Sequence, residues 1–305
     1  MGFRLSTAEV SEGVQRMNRL ALGTAQFGLP HGIANQSGQV LRPEAKAMLQ
    51  LAASSRIDTL DTAIAYGESE ICLGEANIQG FKVVTKLPAV PPGCTDVRNW
   101  IQEQVAASLS RLGIRAVYGL LLHHPQQLLE ADGKALYQTL QGLKETGQVQ
   151  KVGVSVYAPS ELEMLTLRYR FDLVQAPFNL VDRRLQKTGW LQRLKDEGVE
   201  IHTRSAFLQG LLLMPKATIP AKFAPWSNLW SKWHKWLSHH NISAVHACLA
   251  YPLSFPEIDR IVVGAESVSQ LEQIISVSAS DIPADFPSLN CDAENLINPA
   301  RWSQL

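Results

Sequence analysis

Four polar side chains of different chemistry stand at or just beyond short apolar runs: Asp61 and Tyr66 after Thr59-Leu60, Lys86 at the end of Lys82–Lys86, and His123 at the end of Gly119–His123. A free phenol ionises at about pH 10, too high for an efficient acid in neutral water. An ammonium within about 4–6 Å stabilises the phenolate and makes the phenol a better acid. That ammonium is costly to desolvate alone, so an aspartate partner is what would keep Lys86 charged. A neutral His123 can orient a carbonyl oxygen beside the Tyr66 hydroxyl. Together the four suit protonation of the alkoxide that forms when a carbonyl accepts a hydride.

Such a quartet needs a scaffold that brings the ends of successive strands to one face. Apolar runs predict strands at Arg19–Thr24, Thr59–Thr62, Lys82–Lys86, Gly119–His123, Lys151–Ser155, Leu173–Gln175, Glu200–Ser205 and Arg260–Gly264. Segments of helical spacing alternate with them: Pro43–Ser54, Glu68–Asn77, Val97–Leu112, Gly133–Glu145, Pro159–Leu167, Arg184–Glu197, Ser243–Pro252 and Ser267–Val277. Ser160 with Glu163, and Ser269 with Glu272, read as helix caps. Near-continuous apolar strands suit a parallel sheet covered by helices. Unbroken strand–helix alternation favours an α/β fold of the closed (β/α)8 type, a TIM barrel, over an open doubly wound sheet. No G-x-G-x-x-G turn follows the first strand, as an open dinucleotide-binding sheet would require. The active site is then expected at the C-terminal face, where Ser155, Gln175, Asn179, Arg204 and Ser205 also fall.

The 305 residues would make two domains at about 150 residues each, or one barrel with extensions. A composition 46% hydrophobic and 18% charged rules out disorder as the main state. With 28 basic and 28 acidic residues, no bulk field would draw the chain to nucleic acid or to an anionic membrane. There is no run of about 18 apolar residues, and Glu9 and Glu12 stand where a secretory signal would be apolar. Cys72, Cys94, Cys248 and Cys291 are widely spaced without a C-x-x-C, which fits reduced thiols in a soluble cytoplasmic protein. The expected organisation is an N-terminal extension over 1–18, a barrel over 19–279 and a tail over 280–305. The extension opens on a capping-box-like Ser6 to Glu9, and the tail, with Pro283, Pro287 and Pro299, is expected to cross the barrel extended. An insertion over 211–241 carries Trp226, Trp230, Trp233 and Trp236 at roughly helical spacing. They read either as the apolar face of a helix packed on the barrel or as a wall over a substrate pocket.

Seven segments, in order at strand ends, resemble the signatures of the aldo-keto reductase family. They are Gly23-Thr24-Ala-Gln26-Phe27-Gly28, Asp61-Thr-Ala-x-x-Tyr66-Gly67-x-x-Glu70, Lys86, Leu122-His123-x-Pro125, Val152-Gly-Val-Ser155, Gln175-x-Pro-x-Asn179 and Ile261-Val-Val-Gly264-Ala265. The resemblance implies NAD(P)H-dependent reduction of an aldehyde or ketone. It implies Tyr66 as proton donor, Lys86 easing its ionisation, Asp61 pairing with Lys86, and His123 orienting the carbonyl. It places Ser155, Gln175 and Asn179 at the nicotinamide carboxamide, with Gly23, Thr24 and Asp61 among the cofactor contacts. Arg204 stands where an aromatic often stacks on the nicotinamide. Ser205 to Gly210, with Phe207 and Gln209, would wrap the pyrophosphate, and Gly264, Glu266, Gln270 and Gln273 would line the adenosine end. Phe27, His124, Trp226 and Trp230 are expected around the substrate. Many relatives carry Asn where this chain has Val156. NADPH is the family's default cofactor; Glu266, where a basic residue commonly grips the 2′-phosphate, keeps NADH beside it.

Two other classes stay in view. One is a cofactor-binding regulatory module on the same barrel, without turnover. The other is a metal-dependent hydrolase using Asp61 with His123 and His124. Adjacent strand-end residues point oppositely and no His-x-His follows the first strand, so no metal is expected.

Overall fold

The computed structural model describes residues 18–305; the capping-box-like segment Ser6 to Glu9 lies outside them. Eight parallel strands close into a barrel in chain order. They are β1 (Leu20–Gly23), β2 (Thr59–Asp61), β3 (Lys82–Leu87), β4 (Val117–Leu122), β5 (Val149–Ser155), β6 (Leu173–Pro177), β7 (Glu200–Arg204) and β8 (Arg260–Gly264). Closure is made by β8 on β1, with Leu20 opposite Ile261 and Gly23 opposite Gly264.

Helices cover the outside because their apolar residues recur on one face. Helix Val97–Leu112 buries Val97, Ile101, Val105, Leu109 and Leu112. Asp96 starts it by accepting the Asn99 N–H at 2.9 Å, and Gly113 ends it in the left-handed region at φ 65°. The expected helix Arg184–Glu197 is instead two, Arg184–Lys187 and Trp190–Asp196, because Gly189 between them takes φ 78°. The expected caps also move. Helix Pro159–Thr166 already contains Ser160, and it is the Glu161 carboxylate that accepts the N–H groups of Tyr157 and Ala158. Ser267, not Ser269, caps helix Val268–Ser278 through the Gln270 N–H.

The barrel interior is layered. At its N-terminal end Glu200 pairs with Lys151 and accepts the Tyr118 hydroxyl at 2.6 Å, with His202 at 2.7 Å. Burial pushes the Glu200 carboxyl up, but those three hydrogen bonds more than reverse this and hold it below the ordinary range. Val84, Leu121 and Leu173 form a small apolar plug above. At the C-terminal end the buried side chains turn polar again, with Asp61, Lys86, Ser155 and Gln175.

Insertion and tail pack together. Trp230 and Trp233 of helix Ser227–His240 are buried, donating their ring N–H groups to the carbonyls of Phe223 and Leu212. The tail is not extended throughout: it forms a short helix, Glu294–Ile297, and a 3-10 turn, Pro299–Gln304. It is fastened by Cys291 N–H to the Val181 carbonyl, by the Arg184–Glu294 ion pair, and by the Trp302 ring edge-on to Phe223. All four cysteines are free thiols, and no helix among the described residues is long and apolar enough to cross a membrane.

Candidate active site

A cavity of about 790 Å³ opens at the C-terminal ends of the strands. That is within the range of about 300–1,000 Å³ typical of small-molecule and cofactor sites. Asp61, Tyr66, Lys86 and His123 meet in its wall.

Lys86 is 1% exposed and Asp61 4%, so neither charge can be left to water. The Lys86 ammonium donates to Asp61 Oδ1 at 2.6 Å and to the Thr62 carbonyl at 2.8 Å. Gln175 Nε2 donates to the other carboxylate oxygen, Oδ2, at 2.6 Å. The pair therefore meets the condition under which a buried ion pair is tolerated: both partners carry further hydrogen bonds.

Lys86 Nζ lies 5.2 Å from the centre of the Tyr66 ring, and the Tyr66 and His123 rings meet edge to face at 6.0 Å. The loop bearing Tyr66 is set by two glycines. A Cβ on Gly28 would fall 1.8 Å from the Tyr66 carbonyl oxygen, and Gly67 takes φ 54° with its own Cβ position 2.5 Å from the Gly28 oxygen. Only glycines permit the β1 and β2 loops to press together in this way. The Ser69 hydroxyl fastens the same junction, donating to the Thr24 carbonyl at 2.8 Å.

Burial lowers the His123 pKa to about 4, helped by the positive charges of Lys86, His124 and Arg204 and opposed by Asp61. The imidazole is thus neutral at pH 7, able to donate a hydrogen bond without adding charge. His124 is exposed, its ring 5.7 Å from that of His123. Among the described residues no three His, Cys, Asp or Glu side chains gather as metal ligands would.

The rest of the wall brings together Gly23, Thr24, Ser155, Gln175, Arg204, Ser205, Phe207, Gln209, Gly210, Gly264, Glu266, Gln270 and Gln273. The segment after β7 is strongly bent: Ser205, Leu208, Gln209 and Gly210 all have positive φ, three of them non-glycine. Such strain persists only where surrounding structure holds it, and turned backbone of this kind directs N–H groups into a concavity. The Gln209 carbonyl accepts the Ile33 N–H at 3.1 Å, tying this loop to the one after β1. The same cavity is lined by the start of helix Ala244–Leu253, through Ser243, Ala244 and Val245, and by Gln270 and Gln273 in the first two turns of helix Val268–Ser278. Gly264 lets the Gln26 side chain pack against it, since a Cβ there would fall 2.6 Å from the Gln26 amide nitrogen. An elongated, phosphate-bearing dinucleotide fits these features. Burial raises the Glu266 pKa, partly offset by Gln270.

Some expected site residues stand elsewhere. Asn179 is fully buried; its oxygen accepts the N–H groups of Val181 and Asp182, and its amide donates to the Ser205 carbonyl at 3.0 Å. It shapes the β7 loop from behind and does not line the cavity. Phe27 and Trp230 are core residues, and Trp226 packs against Phe223 at 6.4 Å between ring centres. Of the two readings of the tryptophans, helix packing describes Trp230 and Trp233. Conversely, Gln26, His31, Tyr157, Pro299 and Ala300 line the cavity without having been singled out. Gln26 lies inside the first of the motifs, Tyr157 follows Val156 at the end of β5, and nothing in the sequence marks Pro299 and Ala300 of the tail as wall.

Comparison with known proteins agrees with this architecture. The profile described as Aldo/keto reductase family matches residues 19–287. No curated protein matches the chain. Among solved structures, AKR11C1 from Bacillus halodurans, an aldo-keto reductase, in its holo form superposes with a TM-score of 0.68 at 18% identity, covering 87% of this chain and 88% of that one. A Pseudomonas aeruginosa protein assigned to the aldo-keto reductases gives a TM-score of 0.63 at 22% identity, covering 86% and 89%. The family match spans every strand of the barrel together with Asp61, Tyr66, Lys86 and His123, and the chain belongs to the aldo/keto reductase family.

Proposed function

We propose that the cavity binds a nicotinamide dinucleotide and that the chain reduces aldehydes or ketones with Tyr66 as the proton donor. The observation that carries this reading is the buried Lys86–Asp61 pair set beneath Tyr66 with a neutral His123 against the ring. When bound, the dinucleotide supplies the hydride that the carbonyl carbon accepts. Tyr66 gives its phenolic proton to the carbonyl oxygen as negative charge develops there. Lys86 stabilises the phenolate left behind, and Asp61 keeps Lys86 charged in a place water does not reach. His123, neutral, donates a hydrogen bond that holds the carbonyl oxygen beside Tyr66.

Ser155 and Gln175 offer an oxygen and an amide at the barrel centre for the carboxamide. Ser205 to Gly210 offer backbone N–H groups for the diphosphate. Glu266, Gln270 and Gln273 take the far end. A carboxylate there repels a 2′-phosphate and accepts a hydrogen bond from a free ribose hydroxyl, which favours NADH over NADPH; the cations of the wall, Lys86 and Arg204, belong to other strands.

The test is Tyr66→Phe with a panel of aldehydes. Loss of a positioned general acid lowers turnover by about 10²–10⁴-fold, while cofactor binding, read by fluorescence, stays within about threefold. Intact turnover in that variant would overturn the assignment.

A further inference from the structure

Arg204 is the cation of this cavity that the reaction, as drawn above, does not use. It stands at the end of β7, opposite Pro177 of β6, and lines the same wall as Tyr66 and His123. Its guanidinium reaches toward the β5 loop, donating to the Val156 carbonyl at 3.1 Å and to Ser205 Oγ at 3.3 Å, and lies 4.5 Å from the centre of the Tyr157 ring. All of these partners are neutral.

Some other enclosed cations of the described residues meet carboxylates, whereas Arg183, like Arg204, meets backbone carbonyls and an aromatic ring, but Arg183 does not line the cavity. Lys86 meets Asp61, Arg111 meets Glu70, and Arg184 meets both Asp182 and Glu294. The two acids in the cavity wall are already committed elsewhere. Both oxygens of Asp61 are taken, by Lys86 and Gln175, and Glu266 follows β8 beside Gln270. Arg204 is thus a half-buried guanidinium with an aromatic backing, neutral anchors and no counter-charge. Its positive charge is felt by His123. A planar fork with free N–H donors is suited to an oxyanion, above all a carboxylate taken in bidentate fashion.

We propose that Arg204 receives a carboxylate of the substrate, so that the preferred substrates are aldehydes or ketones that also carry a carboxylate. The diphosphate of the cofactor is the other source of an oxyanion. The position of Arg204 argues for the substrate: its guanidinium turns to Val156 and Tyr157 on the β5 side, in a cavity wall it shares with Tyr66 and His123. The strained loop that could cradle a diphosphate begins beside it at Ser205, but the Gln209 and Gly210 end of that loop lies against Ile33 and Ala34. In the reaction the carbonyl carbon gains the hydride, its oxygen gains the Tyr66 proton, and the carboxylate on Arg204 is unchanged, giving a hydroxy acid.

This inference rests on the carbonyl-reductase reading, and the experiment separates the two. The matched pair 4-carboxybenzaldehyde and methyl 4-formylbenzoate differ at the carboxylate alone. Wild-type protein is expected to favour the acid at least tenfold in kcat/KM. Arg204→Gln should collapse that ratio to within threefold, and Arg204→Lys should restore part of it. In parallel, benzoate, which cannot be reduced, is titrated calorimetrically into protein saturated with NADH, with an expected loss of affinity of at least tenfold in Arg204→Gln. Equal handling of acid and ester by the wild type, or benzoate binding unchanged in the variant, overturns the proposal. So does a variant that keeps the acid preference but loses NADH affinity, since the oxyanion is then the cofactor's. If neither aldehyde is turned over with NADH or NADPH, the reductase reading fails, and the benzoate titration still decides the role of Arg204.

Discussion

Gln175 Nε2 donates to Asp61 Oδ2 at 2.6 Å, across the barrel from the Lys86 ammonium that holds Oδ1 of the same carboxylate. One carboxylate thus fixes both the lysine beneath Tyr66 and the amide of Gln175, whose oxygen is left facing Ser155 Oγ at 3.4 Å. Lys86 of β3 and Gln175 of β6 share a single anchor.

Asp61→Asn should therefore do more than slow the reaction. It leaves the Lys86 ammonium buried without a counter-charge, and breaking a buried pair in this way costs about 3–5 kcal/mol. Urea denaturation should show that loss at pH 7.

Glu70 belongs to the same sequence motif but serves the fold. It is 1% exposed and accepts from Thr85 at 2.8 Å, from Ser108 at 2.6 Å and from Arg111 at 2.7 and 2.9 Å, joining β3 to two helices. Glu70→Gln should lower stability by about 3 kcal/mol or more, read by the same denaturation. NADH affinity, read by fluorescence, should stay near the wild-type value.

The pH dependence follows from His123, whose pKa falls from the ordinary 6.5 to about 4. Between those values the unfolded chain takes up a proton that the folded chain refuses. Stability from this group is complete above about pH 6.5 and is lost as pH falls toward 4. An NMR titration of the imidazole should give a midpoint near 4, and kcat/KM should show no His123 inflection between pH 5.5 and 8. A midpoint above 6 contradicts the neutral-imidazole role.

Glu266→Arg should reverse the charge met by a 2′-phosphate. The ratio of NADPH to NADH affinity, measured by fluorescence titration, should move toward NADPH by at least tenfold. An unchanged ratio would place the ribose elsewhere.

The barrel was legible because its strands are short apolar runs between helices of regular spacing, and β8 and helix Val97–Leu112 fall where the sequence puts them. The polar groups at strand ends were legible because every strand of this fold ends at the same face, and alternate residues there point into the barrel mouth. Loop residues have no such constraint. Phe27 turns into the core, Asn179 turns behind the β7 loop, and Tyr157 turns toward Arg204, each set by packing that the local sequence does not specify. The split at Gly189 was invisible for a related reason: a glycine inside a helical pattern is tolerated or breaks it according to the tertiary fit.

The bond from Ile33 N–H to the Gln209 carbonyl makes mechanical partners of two loops that the chain keeps far apart. Neither can swing outward without breaking that bond or dragging the other along. With Gly210 seated against Ala34, the two loops are coupled at two adjoining points. A long ligand lying against both is released by one concerted opening, so its departure should follow a single exponential in stopped-flow fluorescence.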